Sequence, residues 1–190
     1  MSRTGIYDIH CHIVPGVDDG ASDYEDTKKL LRMEYDQGVR NIIATPHFRF
    51  RMFETPLSRV QEQFLLVQKA AAEIGDDLQV YLGCEFHANM EMYRMLREGE
   101  VSTMAGSRYV LAEFSESSEG SYIRERLNKL ISSGYKPIAA HIERYEATRS
   151  DLGFVEELVD MGVSMQINAD SIVGKEARTW SRFVTGSTAQ

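Results

Sequence analysis

The stretch D-I-H-C-H-I-V-P-G-V-D-D-G, Asp8 to Gly20, gathers two histidines, a cysteine and three acids. Two chemistries compete for it. His10 and His12 can share a metal ion, or Cys11 can act as a nucleophile in a phosphate-binding loop. Side chains alternate along a strand, so His10 and His12 face one side and Cys11 the other, with the two histidine Cα atoms about 7 Å apart. That spacing lets two imidazoles converge on one cation. Asp8 shares their face and is placed to orient a histidine from behind. The thiol alternative needs an arginine six positions after the cysteine, to bind phosphate together with backbone amides. Val17 stands six after Cys11 and Met90 six after Cys84, so both fail. Cys11 is then expected to be a small packing residue on the far face of its strand. Neither a Walker A loop nor a G-x-S-x-G elbow occurs.

Other ligand-type residues recur at the ends of strand-like segments: His47 in T-P-H, Glu85 in G-C-E-F, Glu113 in L-A-E-F, His141 in A-A-H and Asn168 in Q-I-N. Taken singly, each reads as a hydrogen-bonded surface residue, a helix cap or a salt-bridge partner. Together with His10 and His12, they place four of the five histidines and two glutamates at one end of the strands. Carboxylates buried side by side repel unless cations neutralise them, so the pattern favours a metal centre. His87 reads as a loop residue. Arg49 and Arg51, interleaved with Phe48, Phe50 and Phe53, would suit an aromatic phosphate group or simply form a solvated connection. Met90, Met92 and Met95 read as packing positions.

The elements that must position these residues alternate. Strands are expected at Ile6–His12, Val39–Thr45, Leu78–Phe86, Arg108–Phe114, Lys136–His141 and Val163–Asn168. Helices are expected from Ser22 to about Gln37, over about 57–74, 90–97, 122–132 and 152–161, and around 176–183. Ser22 with Glu25 three residues on reads as a capping box. Strands separated by helices of ten or more residues imply βα units, hence an α/β fold with a parallel sheet. Strands that are apolar nearly throughout are covered on both faces. Periodicity alone does not choose between a barrel and an open sheet, but in either case functional groups collect at the carboxyl ends of the strands.

With 190 residues the chain suits one domain. Its net charge of −8 opposes binding to nucleic acid or an anionic membrane surface. No apolar run approaches a membrane span, and the N-terminus lacks the apolar core of a signal peptide. Two cysteines are too few for a disulfide framework. A cytoplasmic location is the expectation.

D-I-H-C-H-I-V-P-G-V-D-D-G, I-I-A-T-P-H, G-C-E-F, L-A-E-F and A-H-I-E-R-Y together resemble the bacterial tyrosine-protein phosphatases of capsule and exopolysaccharide synthesis, members of the polymerase-and-histidinol-phosphatase superfamily. The resemblance runs from about Tyr7 to Asn168. It implies a distorted parallel β/α barrel carrying up to three divalent ions (Mn, Fe, Co or Zn). By motif, His10, His12, His47, Glu113 and His141 resemble metal ligands and Glu85 the carboxylate that bridges them. Asp19 resembles a catalytic acid and Arg144 the arginine that binds phosphate; the proline usual in that last motif is Ile142 here. The implied reaction is hydrolysis of phosphotyrosine by water activated on the metals, without a phosphocysteine. The implied partner is the cognate tyrosine kinase of polysaccharide synthesis. The family pattern continues into a strand with an S-D-x-H-like pair, whereas no aspartate follows Asp170 and no histidine follows His141. The expectation is therefore a single domain over 1–190, its barrel lacking the last strand. A small-molecule phosphomonoesterase of the histidinol-phosphate type and an inactive pseudo-phosphatase remain as alternatives. Amidohydrolases also begin with H-x-H, but Glu85 and Glu113 at successive strand ends fit them poorly.

Overall fold

A computed structural model describes residues 5–173. They fall into two compact units, divided between Leu111 and Ala112. In the first, β1 (Ile6–Cys11) pairs in parallel with β2 (Val39–Ala44), and β2 pairs in parallel with β4 (Gln79–Leu82). The connection between β1 and β2 is α1 (Tyr24–Asp36). Asp23, not Ser22, is its N-cap: the Asp23 carboxylate accepts from the backbone N–H groups of Glu25 and Asp26. Ser22 instead bonds the Asp26 side chain. The capping chemistry expected from S-D-Y-E is present but displaced by one residue, because aspartate competes equally well for the cap.

The helix α2 (Leu57–Ile74) follows Pro56, whose φ of −57° suits a helix entrance. Val60, Phe64, Val67 and Ala71 recur at three- and four-residue spacing and are buried on one face. They meet Leu31 of α1 and Ile42 and Ala44 of β2 in an apolar core that also holds Ile13 and Val14. Cys11, between His10 and His12 in the sequence, packs against this core.

The expected third strand, Leu78–Phe86, is two strands. β4 ends at Leu82, and β5 (Glu85–His87) pairs in parallel with a short β3 (His47–Phe48), which begins at the expected strand-end His47 and takes in the first residue of the aromatic connection. At the break, a Cβ on Gly83 would lie 2.9 Å from Ile43 Cγ2 and 3.0 Å from Met104 Sδ, so only glycine lets the chain cross there. The consequence is functional: His47 and Glu85 become direct partners in register. Then α3 (Met92–Glu98) buries Met92 and Met95, as packing residues, while Met90 is exposed.

β6 (Tyr109–Glu113) runs into the second unit. There α4 (Gly120–Ser132) buries Ile123, Leu127 and Leu130, and β7 (Lys136–Ala139) pairs in parallel with β8 (Ser164–Met165). Between them lie a 3-10 turn (Ile142–Arg144), α5 (Glu146–Ser150) and α6 (Leu152–Asp160), the last capped by Asp151. β7 and β8 are shorter than expected, since His141 and Asn168 sit beyond the strand ends. A helix α7 (Ala169–Val173) closes the described chain. The helix expected around 176–183 lies outside the described residues. The α/β class and the parallel pairing are as anticipated. No helix among the described residues is long and apolar enough to cross a membrane.

Candidate metal centre

Three histidines of the first unit aim nitrogen at one oxygen. His10 Nε2, His12 Nε2 and His47 Nδ1 lie 3.0, 3.1 and 3.2 Å from Oε2 of Glu85. Glu85 is 1% exposed. The ring centroids of His12 and His47 are 4.4 Å apart, and those of His10 and His12 are 5.5 Å apart. His10, His12 and Glu85 present ligand atoms mutually inside 4.8 Å, as do His12, Asp19 and His47.

The donor set fits a divalent cation. A buried carboxylate is costly to ionise without a partner. Three imidazoles around a single carboxylate oxygen exceed its roughly two lone-pair sites for N–H donors, whereas lone pairs on the same nitrogens would serve a cation placed among them. Mixed nitrogen and oxygen ligands of this kind suit Mn, Fe, Co or Zn.

The protonation pattern without a cation is uneven. Burial pushes the His12 imidazole down, but hydrogen bonds to Asp18 and Glu85 outweigh it and hold the ring up at about 10. His47 is pushed below the ordinary histidine value by burial, against the pull of Glu85. Burial favours neutral Asp18, yet its bonds with His12 and the His47 N–H outweigh that and keep it ionised. Cation binding must therefore displace a proton from His12.

Asp18 is the residue that sequence reasoning missed. Its Oδ2 lies 2.8 Å from His12 Nδ1 and accepts the backbone N–H of His47 at 2.9 Å. Asp8, the expected orienting acid, instead accepts the backbone N–H of His10 at 2.9 Å. Asp19 points outward, its side chain 64% exposed, with Oδ1 3.8 Å from His47 Nε2. The loop that sorts the two aspartates is tightly folded: Gly20 packs so close to His12 that a Cβ would meet its carbonyl oxygen at 2.2 Å.

Phe53 was legible only as part of an aromatic loop. Arg49 and Phe53 bond each other's backbone across a tight turn, with Arg51 in the left-handed region at φ 62°. The turn lays the Phe53 ring parallel to His47, 8° from coplanar and 5.3 Å between centroids. Arg51 is exposed and Arg49 half-buried. His87 closes β5 rather than lying in a loop, and burial together with the Arg49 charge lowers it to about 4.

In the second unit, His141 Nε2 lies 3.7 Å from Glu113 Oε1, and both residues are buried. His141 adopts a left-handed backbone with φ 31°, a conformation that costs a residue with a Cβ and needs support. Gln166 supplies it: its Oε1 accepts the His141 N–H at 2.6 Å and its carbonyl accepts the Ile142 N–H at 3.0 Å. Gln166 Nε2 in turn donates to Asn168 Oδ1 at 2.9 Å, so Asn168 stands behind Gln166. Arg144 is exposed on the 3-10 turn after His141.

Neither thiol suits nucleophilic work. Cys11 Sγ lies 3.7 Å from the Ile43 carbonyl, and burial and the Asp8 charge push it well above its ordinary value. Cys84 is buried and pushed up likewise. Cys11→Ser is accordingly expected to keep full activity in a phosphatase assay; a dead but folded variant would restore the thiol chemistry.

A parallel α/β framework with imidazoles and carboxylates at strand ends defines the general class of a metal-dependent hydrolase. Residues 6–187 match the family described as capsular polysaccharide synthesis, CpsB/CapC, and the chain belongs to that family. It is 43% identical over 162 residues to the tyrosine-protein phosphatase CpsB of Streptococcus pneumoniae, covering 85% of this chain and 67% of that protein. It is 32% identical over 167 residues to the tyrosine-protein phosphatase YwqE of Bacillus subtilis, covering 88% and 66%. A solved structure from work on YwqE and CpsB, described there as unique metal-dependent tyrosine phosphatases, superposes with a TM-score of 0.86 at 31% identity, over 94% of this chain and 74% of that one.

Proposed function

We propose that the chain is a metal-dependent phosphatase that hydrolyses phosphotyrosine on a protein. The observation that carries this reading is the convergence of three imidazole nitrogens on the buried Glu85 oxygen, in a chain whose relatives are named tyrosine-protein phosphatases. A bound cation supplies positive charge for phosphate oxygens and makes water acidic enough to attack near neutral pH. His10, His12, His47 and Glu85 would hold it, with Glu113 and His141 as further ligands, for up to three ions of Mn, Fe, Co or Zn.

The remaining roles belong to side chains around the ligands. Attack of water on phosphorus, in line with the tyrosine oxygen, breaks the P–O bond and leaves phenolate and inorganic phosphate. Asp19, exposed beside His47, would protonate the leaving oxygen. Phenol has a pKa near 10, so this help is smaller than an alkoxide would need. Arg144 would neutralise phosphate oxygens. Arg49 and Arg51, on the turn that presents Phe53, would hold the aryl phosphate. The natural substrate on this reading is the tyrosine kinase of the same polysaccharide pathway, met in the cytoplasm.

Histidinol phosphate offers the same phosphoryl group on a small alkyl alcohol. The chain is expected to turn over a phosphotyrosyl peptide with the higher kcat/KM. Faster hydrolysis of histidinol phosphate would overturn the assignment of substrate.

A further inference from the structure

We propose that Asp18 is a positioning residue that sets the tautomer of His12 and the placement of His47, and thereby the affinity of the centre for its cation; this rests on the metal-dependent reading above. The Asp18 side chain has no exposed surface, and its carboxylate is used in full. Oδ2 lies 2.8 Å from His12 Nδ1 and takes the His47 N–H at 2.9 Å, while Oδ1 takes the Gly20 N–H at 3.0 Å. An ionised carboxylate only accepts. The His12 proton on that side must therefore sit on Nδ1, so that Nε2, 3.1 Å from Glu85, is the nitrogen left to bind a cation once its own proton is displaced. The same oxygen ties the end of β1 to the start of β3, so the two histidines hold a fixed spacing.

Asparagine cannot reproduce this. With its amide oxygen kept on His12 and His47, its NH₂ would face the Gly20 N–H, donor against donor. Turned the other way, the NH₂ would donate to His12 Nδ1 and force the proton onto Nε2, where it blocks the ligand lone pair. It would also leave the His47 N–H facing a donor. A residue that merely closed the loop would affect stability and leave the cation alone.

The test is calorimetric titration of Mn²⁺ into the chelator-stripped full chain, for wild type and Asp18→Asn, with thermal melts of both stripped proteins. Loss of a partner that orients a metal-bound histidine weakens affinity by about 10–100-fold, and that is the expected rise in Kd. A Kd within about twofold of wild type, whatever the melt shows, overturns the proposal. Should Asp18→Asn fail to fold, nitrogen-15 NMR of the Zn²⁺-loaded wild type decides: the proton is expected on His12 Nδ1, and a proton on Nε2 overturns the role. A wild-type chain that binds no Mn²⁺ or Zn²⁺ rejects the metal reading itself. Tight wild-type binding matched by Asp18→Asn rejects only the part given to Asp18.

Discussion

Glu85→Gln is expected to abolish turnover while leaving the fold in place. The amide has the volume of the carboxylate it replaces, so the packing around β5 survives. What disappears is the one negative charge on which His10, His12 and His47 converge. A cation at a phosphoryl centre supplies several kcal/mol of transition-state stabilisation, and losing about 4 kcal/mol lowers the rate roughly a thousandfold. Rate loss of at least that order, with bound metal falling in parallel and a circular dichroism spectrum like wild type, is the expected result. A folded Glu85→Gln protein with near-normal turnover would remove Glu85 from the centre.

Stripping the metal should have the second largest effect, on stability as well as on activity. The apo protein holds a buried carboxylate among imidazoles, one of them raised to about 10 by Asp18 and Glu85 against the effect of burial. A ligand that binds only the folded state adds about 2.7 kcal/mol when present at a hundred times its Kd. For a chain of 190 residues this corresponds to a Tm higher by about 5–10 °C in the loaded protein than in the stripped one. Scanning calorimetry with and without added Mn²⁺ measures it. Equal Tm values at saturating metal would mean that the cation does not bind the native state preferentially.

Much of this was legible in the sequence because it depends on local pattern. The bounds of α2 follow from the spacing of Val60, Phe64, Val67 and Ala71 between Pro56 and Gly75. The H-C-H alternation fixes which face of β1 carries His10 and His12, and the strand ends at His47 and Glu85 hold the groups expected there. Other features depend on where the chain goes after a turn. Leu78–Phe86 looks like one strand because apolar residues do not record a change of partner; the switch from β2 to β3 falls at Gly83, where Ile43 and Met104 crowd any added Cβ. Asp18 and Asp19 are adjacent and chemically identical, and only the fold of the loop over His12 sends one inward and the other to solvent. Phe53 becomes the neighbour of His47 because Arg51 accepts a left-handed backbone. The support that Gln166 gives His141 joins residues 25 positions apart, beyond the reach of any local pattern.

On the function proposed, hydrolysis depends on a cation held by His10, His12, His47 and Glu85. The most direct test of that dependence is the initial rate on a phosphotyrosyl peptide as Mn²⁺ is returned to the chelator-stripped chain. The stripped protein is expected to show no turnover, with saturable recovery as metal is added. Full turnover by the stripped protein, unchanged by added metal, would contradict it.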